Sequence, residues 1–260
     1  MGSGRPHVQF VLDSAVRSET LRAVARSDAS TEDVLAKVTA SDSAVYNALK
    51  TLERRGLVRS TKNGWQATGS GWLVADLLQQ REQADVLLSG TDYWETHDTS
   101  VLPRRFRTRL VELADAEIFE APETSPHGVV EEVARRVGRS TGVDVISPIF
   151  VKDYDSSMPD EDDARLIVDW AVAEQALERA PTLDEFDQYD RTEFRVLDVS
   201  FALAVCDDCL LLSLPTLDGR YDARTEVIDE SETAQAWGQQ LFDHCWEQAT
   251  TKTEFLDDHA

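Results

Sequence analysis

The chain has 260 residues, 42% of them hydrophobic, so there is room for two domains and enough apolar side chain to fill their cores. A formal net charge of −23 argues against a uniformly basic nucleic-acid binder, and no apolar run approaches the ~18 residues that a membrane helix needs. With no signal-peptide pattern and only Cys206, Cys209 and Cys245, a soluble cytoplasmic protein without a disulfide framework is expected.

The charge is unevenly spread. Residues 1–80 carry ten Lys/Arg and eight Asp/Glu, whereas residues 81–260 carry sixteen and forty-one. The acidity therefore lies outside the N-terminal third, which stays eligible for DNA. Arg outnumbers Lys 21 to 5, and Asp outnumbers Glu 28 to 21. Such usage suggests a high-salt cytoplasm, where hydrated carboxylates keep a surface soluble. In that salt, phosphate attraction is screened and counterion release contributes little.

In chain order, Val11 to Arg26 predicts a first helix with Val16, Leu21, Val24 and Ala25 as its apolar stripe. Ser30 with Asp33 resembles a capping box and opens a short helix through Lys37. After the Thr39-Ala40 turn, Ser41 is an N-cap, Asp42 occupies the positive first turn, and Gly56 supplies a left-handed stop. Between them Val45, Ala48, Leu49 and Leu52 form one apolar face, while Ser43, Ala44, Asn47, Lys50 and Arg54 form a small, polar, basic one. That second face suits a helix that enters a groove and meets base edges and phosphates. Taken alone, it also suits a solvated face.

Leu57–Ser60 and Trp65–Thr68 read as two strands, joined by Thr61-Lys62-Asn63-Gly64, whose Asn-Gly pair favours a hairpin turn. Helix, helix, hairpin is the order of a winged helix-turn-helix, with Lys62 at the wing tip and Arg59 at its base. A helix follows from Gly69 or Ser70 to Leu88, and residues 89–92 mark the expected domain boundary.

The remainder alternates. Pro103 suits a first helical turn, with Phe106, Leu110, Val111 and Leu113 behind it. Residues 116–119 and 143–146 read as strands, and Pro126 opens a helix holding Val129, Val130, Val133 and Val137. Residues 159–163 read as an acidic helix start leading into Leu166, Ile167 and Trp170. A strand at 194–197 precedes two apolar runs, 200–206 and 209–214, joined by Asp207-Asp208 as a buried hairpin. Thr225 to Ile228 is a last strand, and Ser231 caps a final helix with Ala234, Trp237, Leu241, Phe242, Cys245 and Trp246. This alternation argues a mixed sheet.

Cys206-x-x-Cys209 could be half a zinc site or a redox pair, but its place between apolar runs makes each Cys a small core residue. Tyr93, Trp94 and His97, with Glu95 and Asp98, could line a ligand pocket or hold a general base, but a structural histidine beside the domain junction is the expected reading. The nucleophile elbow, the glycine-rich dinucleotide fingerprint and the P-loop are all missing, so no enzyme is expected. The acidic runs at 160–163 and 184–187 read as solvated helix faces.

Tyr93-Trp94-x-x-His97-Asp98, Ile146-Ser147-Pro148-Ile149-Phe150, Ser200-Phe201-Ala202 and Leu212-Ser213-Leu214 together make a pattern. With the winged N-terminus, it resembles archaeal regulators of the methanogenesis-regulator (filament-regulator) family. Gly219-x-Tyr221-Asp222 and Trp237-Gly238-x-x-Leu241-Phe242 are similar to the effector domain of TrmB-type sugar-responsive regulators. The resemblance implies transcriptional regulation by a winged helix-turn-helix with a dedicated C-terminal domain, and it carries over no ligand. The composition, read separately, points to a haloarchaeon.

The fold class expected is α+β to α/β: an N-terminal winged helix-turn-helix plus a C-terminal mixed α/β regulatory domain. Residues 1–89 would form the DNA-binding domain with a linker helix, 90–250 the sensing or oligomerisation domain, and 251–260 an acidic tail. Ser41, Ser43, Ala44 and Asn47 would face the groove, and Lys50, Arg54, Arg59 and Lys62 would hold phosphates. Double-stranded DNA, a second copy in a homodimer and a small-molecule effector are the expected partners, with no membrane, cofactor or metal. The alternative is a winged-helix adaptor that binds proteins and not DNA.

Overall fold

The computed structural model describes residues 6–26, 29–125, 127–149, 164–179 and 193–258. The chain divides into two compact units, Met1–Asp85 and Val86–Ala260. The first is a winged helix-turn-helix, and the second is built on an eight-stranded mixed sheet.

In the first unit the single helix expected from Val11 to Arg26 is two, α1 (His7–Leu12) and α2 (Ala15–Ala25). Ser14 is extended, and its Oγ accepts the Arg17 amide at 3.4 Å, so the chain breaks and restarts there. Phe10 anchors the first piece, with the guanidiniums of Arg17 and Arg55 at 4.3 and 4.4 Å from its ring centroid. α3 (Thr31–Lys37) starts with a complete capping box, in which the Ser30 hydroxyl accepts from Asp33 and the Asp33 carboxylate accepts from the Ser30 amide. α4 (Asp42–Arg54) buries Val45, Ala48, Leu49 and Leu52 against the unit's core, with Gly56 in the left-handed region just after it.

β1 (Val58–Thr61) and β2 (Gly64–Ala67) form the wing. The central turn residues are Lys62 and Asn63, not Asn63 and Gly64, because Gly64 already pairs with Thr61. Gly64 has φ 140°, and a Cβ there would run into the carbonyl of Ala29. That close approach lets Ala29 join the wing, exchanging two backbone hydrogen bonds with Trp65 at 2.9 and 3.2 Å. α5 (Gly69–Ser89) follows.

The second unit opens with short turns: α6 (Tyr93–Thr96), a 3-10 turn at Thr99–Val101, α7 (Arg104–Arg107) and a second 3-10 turn at Leu110–Leu113. The run expected as one helix after Pro103 is thus split, with Pro103 just ahead of α7. The strands are β3 (Glu117–Glu120), β4 (Val143–Ser147), β5 (Ala164–Val168), β6 (Glu193–Val196), β7 (Ala202–Val205), β8 (Leu210–Ser213), β9 (Thr225–Asp229) and β10 (Thr250–Thr251). Their order is β10-β6-β5-β4-β7-β8-β9-β3. β4, β5 and β6 run parallel, and the other pairs are antiparallel.

Helices cover both faces. α8 (Gly128–Val137) places Val129, Val133 and Val137 with Leu211, Ile228 and Ala204. α10 (Glu232–Gln248), capped by Ser231, places Ala234, Trp237, Leu241 and Phe242 with Ile146, Ile167, Leu203, Leu212 and Val227 on the other face. Trp237 is fully buried, and its Nε1 donates to the Phe106 carbonyl at 3.2 Å. α9 (Trp170–Arg179) follows β5.

Two expectations are corrected. Leu166 and Ile167 lie in β5 and not in a helix, since β5 is hydrogen-bonded on both sides and its alternate residues feed different clusters. The expected acidic tail carries β10 and α11 (Lys252–Asp257), started by a Thr251–Glu254 capping box, with Phe255 fully buried. Pro126, Phe150 and the acidic runs at 160–163 and 184–187 lie outside the described residues.

Gly64→Ala is expected to weaken the wing by about 1–3 kcal/mol, since it forces both a positive φ on Ala and a backbone clash. The measurement is hydrogen exchange at the Ala29 and Trp65 amides, which should become markedly faster than in the parent chain.

Candidate nucleic-acid interface

Burial of one side of α4 leaves the other free. Ser41, Ser43, Asn47, Lys50 and Arg54 are exposed, and Ala44 is half-buried. Ser41 is engaged as the cap, its Oγ accepting from the Ala44 amide at 3.4 Å and lying 3.2 Å from Ser43 Oγ. Lys50 Nζ sits 3.1 Å from Glu53 and 5.2 Å from the centroid of Trp65. Arg54 donates to Thr51 Oγ1 at 3.3 Å, and Arg59 donates to its cross-strand neighbour Gln66 at 2.9 Å. Among the described residues, the side chains of Asn47 and Lys62 make no hydrogen bond or ion pair. Asn47 lies in mid-helix and Lys62 in the wing turn, so the two idle groups sit on the two elements of the motif.

The face also holds a residue that the sequence reading left out. Tyr46 is 48% exposed, next to Asn47 and three positions from Ser43. The outer face is therefore not made of small and basic residues alone. Helical spacing gives the signal: Tyr46 falls one position from the buried Val45 and outside the stripe of Val45, Ala48, Leu49 and Leu52.

In the second unit, Tyr93, Trp94 and His97 come together at α6. His97 is buried and stacks on Tyr93, with ring centroids 3.8 Å apart. Its Nδ1 lies 2.9 Å from the Tyr93 carbonyl and its Nε2 lies 3.1 Å from Asp222 Oδ2. The Tyr93 hydroxyl accepts the Leu214 amide at 2.9 Å, and burial pushes the phenol up. Trp94 is half-buried, edge-on to Tyr93 at 5.1 Å. Burial would raise the Asp222 carboxyl, but hydrogen bonds from Thr225, the Arg224 amide and His97 outweigh it and hold it below the usual value. The polar atoms of Tyr93 and His97 are thus spent on one another, on the Leu214 amide just after β8 and on Asp222 just before β9.

Glu226 is different, and the sequence reading did not single it out. It is 3% exposed, and among the described residues its carboxyl accepts no hydrogen bond and forms no ion pair. Burial, and then the charge of Asp222, push its pKa up to about 8. Cys206 and Cys209 face each other across the β7–β8 turn, where the Cys206 amide donates to the Cys209 carbonyl at 2.9 Å. Both are buried free thiols, and among the described residues no group of three or more His, Cys, Asp or Glu is placed to hold a metal ion.

Residues 126–248 match the family model described as the middle domain of the methanogenesis regulatory protein FilR1. Residues 5–85 match the HVO_A0261 N-terminal domain. The methanogenesis regulatory protein FilR1 of Methanothrix harundinacea (strain 6Ac) is 24% identical over 216 residues, 77% of this chain. The chain spans about half of that relative's length, 48%. Among solved structures, TrmBL2, an archaeal chromatin protein described with a novel mode of DNA binding, aligns over 94% of this chain and 98% of its own. That alignment has a TM-score of 0.40 at 13% identity. A putative O-methyltransferase of Nostoc punctiforme aligns over 73% of this chain and 61% of its own, with a TM-score of 0.23 and 15% identity. At such scores neither overlap carries a functional argument. Among the described residues, no helix is long and apolar enough to cross a membrane.

Glu226 sets a pH dependence. Its folded value, about 8, lies above the ordinary 4.5, so between these values the folded chain keeps a proton that the unfolded chain has released. The stability that comes from keeping the carboxyl neutral is full below about 4.5, falls as pH rises, and levels off above about 8. Glu226→Gln should remove this slope and gain, relative to the parent, on the order of 2–4 kcal/mol between pH 5 and pH 9. Chemical denaturation of both chains across that range measures it.

Proposed function

We propose that the chain is a DNA-binding transcriptional regulator that works as a homodimer, with a C-terminal unit that senses a signal or sets the oligomeric state. The observation that carries the reading is the winged unit, whose buried α4 stripe leaves Ser43, Tyr46 and Asn47 exposed beside a wing that ends in the idle Lys62. The match to a regulator's middle domain over residues 126–248 supports the same reading for the rest of the chain. Asn47 suits the adenine edge, Tyr46 supplies a flat apolar surface with a hydroxyl, and Ser43 and Ala44 leave room for the groove wall. Lys50, Arg54, Arg59 and Lys62 hold phosphates, the first three after giving up weak intramolecular partners that are exposed to solvent. Ser41 orders the helix start and contributes a contact only at its edge. The Arg- and Asp-rich surface supports work in concentrated salt, where phosphate attraction is weak and fitted contacts carry more of the affinity.

Dimerisation is supported by α5. Trp72, Leu73 and Leu77 are 46%, 68% and 49% exposed on one helix, where a lone soluble domain would place polar side chains. A second copy that brings the same stripe together would bury all three, and a two-fold pair of winged units would meet two half-sites.

Asn47→Ala is expected to cost roughly 1–3 kcal/mol of discrimination between specific and scrambled duplexes, while Lys62→Ala weakens both alike. Fluorescence anisotropy on duplexes from the chain's own upstream region, titrated with KCl, separates the two effects. Absence of any salt-dependent duplex binding by the parent chain would favour the protein-binding adaptor.

The double substitution Leu73→Glu with Leu77→Glu is expected to shift the chain from dimer to monomer in sedimentation velocity and to lower duplex affinity at least tenfold. A parent chain that already sediments as a monomer would remove α5 from the dimer interface.

A further inference from the structure

On β9, alternation puts Glu226 on the same side of the sheet as Ile228, the side that α8 covers. Glu226 pairs with Phe119 on β3. One step beyond the Leu212–Val227 pair, Ser213 of β8 is its neighbour, and Ser213 pairs with Ala202 of β7. One step beyond the Ile146–Leu203 pair, Ala202 meets Ser147 of β4. Phe119, Glu226, Ser213, Ala202 and Ser147 therefore form one row across five strands, at about 4.8 Å per strand. The valines of α8 pack over the rows below it, against Leu211, Ile228 and Ala204.

The hydrogen-bonding character of this row is one-sided. Ser213 Oγ donates to the Asp222 carbonyl at 3.3 Å, and Ser147 Oγ donates to the Ile149 carbonyl at 2.7 Å. Each hydroxyl has committed its proton and keeps only acceptor capacity. The Glu226 carboxylate is acceptor-only when ionised, is nine-tenths or more buried, and has no partner among the described residues. Ala202, between the two serines, fills the least space in the row. An ionised carboxylate so buried needs a matching cation, and acceptor hydroxyls beside it need donors.

We propose that this row is a binding site for a small hydroxylated primary amine, with its ammonium on Glu226, a hydroxyl donated to Ser213, and its body over Ala202 toward Ser147. The proposal rests on the regulatory reading of the C-terminal unit and names the chemistry that unit would recognise. Without ligand, Glu226 holds its proton near neutral pH. An ammonium arriving beside it favours the carboxylate, so binding releases a proton to solvent.

The test uses the full chain in concentrated KCl, which suppresses diffuse attraction of amines to an acidic surface. The probes are ethanolamine and 1,4-diaminobutane, with ethylene glycol as the uncharged control. Ethanolamine should raise the melting temperature in a saturable way, with ethylene glycol inert, and calorimetry in two buffers of different ionisation enthalpy at pH 7 should show release of a proton, at most one per chain. Glu226→Gln should weaken ethanolamine at least tenfold and abolish the proton release. Ala202→Leu, which leaves the carboxyl in place and fills the row, should weaken it as well, and covers the case in which the first variant does not fold. Equal shifts by ethanolamine and ethylene glycol, or an ethanolamine response that survives both substitutions, would overturn the site. No saturable response to either amine would overturn it too. Duplex binding measured on the same preparations keeps the two readings apart: DNA binding without amine binding sinks the site alone, and amine binding without DNA binding sinks the regulator reading alone.

Discussion

A sheet covered by helices on both faces has no tolerant side. In β8, Leu210 and Leu212 belong to the cluster with α10, Leu211 belongs to the cluster with α8, and Ser213 is fully buried. The same holds across β4, β5, β7 and β9, so the hydrophobic stabilisation of the second unit is gathered from both sides of each strand. This constraint turns every polar residue on a central strand into a demand. Asp144 answers it with Arg165, which is also within 4.7 Å of the Phe242 ring centroid. Asp229 answers it in part by accepting the Ser231 amide at 2.8 Å just before α10. Glu226 has no such answer among the described residues, which leaves its carboxyl open to an external cation.

The first unit obeys a looser rule. Its helices bury one stripe each, and the outer side of α4 is free to vary without cost to the core. The proposed functions divide accordingly, with exposed residues on the first unit and a buried row in the second. The charge distribution follows the same division. Under the proposed function, a nearly balanced first 80 residues would leave a duplex approachable, whereas the excess of carboxylates in the remainder would repel it at low salt. On the proposed reading, concentrated salt would shorten that repulsion to a few ångströms and leave contacts on α4 and the wing to decide binding.

What the sequence disclosed follows from the same physics. Caps are local chemistry, so Ser30 with Asp33, Ser41 and Ser231 are legible without any tertiary information, and each accepts the expected backbone amide. The apolar runs at 200–206 and 209–214 are legible because a strand buried on both faces loses its alternation. Leu166 and Ile167 misled for the converse reason: a short apolar run has no period, and the acidic sequence ahead of it carries the composition of a helix start. The break at Ser14 depends on one extended dihedral, the wing turn on how closely Gly64 approaches Ala29, and Phe255 on tertiary burial. None of these leaves a periodic trace. Among the candidate site residues, the partners of Lys50 and Arg54 lie three positions away on the same helix and are legible from spacing, whereas the Arg59–Gln66 pair depends on the wing register. Glu226 was invisible because an isolated Glu in a five-residue strand reads by default as the solvent-facing side chain of that strand.

The place of Glu226 in the topology strengthens its reading. β4 and β5 are parallel, and Ser147 and Val168 pair at their carboxyl ends. In open α/β sheets, crossing connections leave a crevice beyond the carboxyl ends of parallel strands, and ligands collect there. The antiparallel strands β7, β8 and β9 continue that row outward from Ser147, so the buried acid is fixed in register with the carboxyl ends of β4 and β5 and not with the opposite edge of the sheet, where Cys206 and Cys209 close the hairpin. A carboxyl at the opposite end would be read as a folding liability offset elsewhere. At this end, among hydroxyls that have already committed their protons, the same carboxyl once ionised leaves an acceptor-only strip that a donor-rich cation would complete.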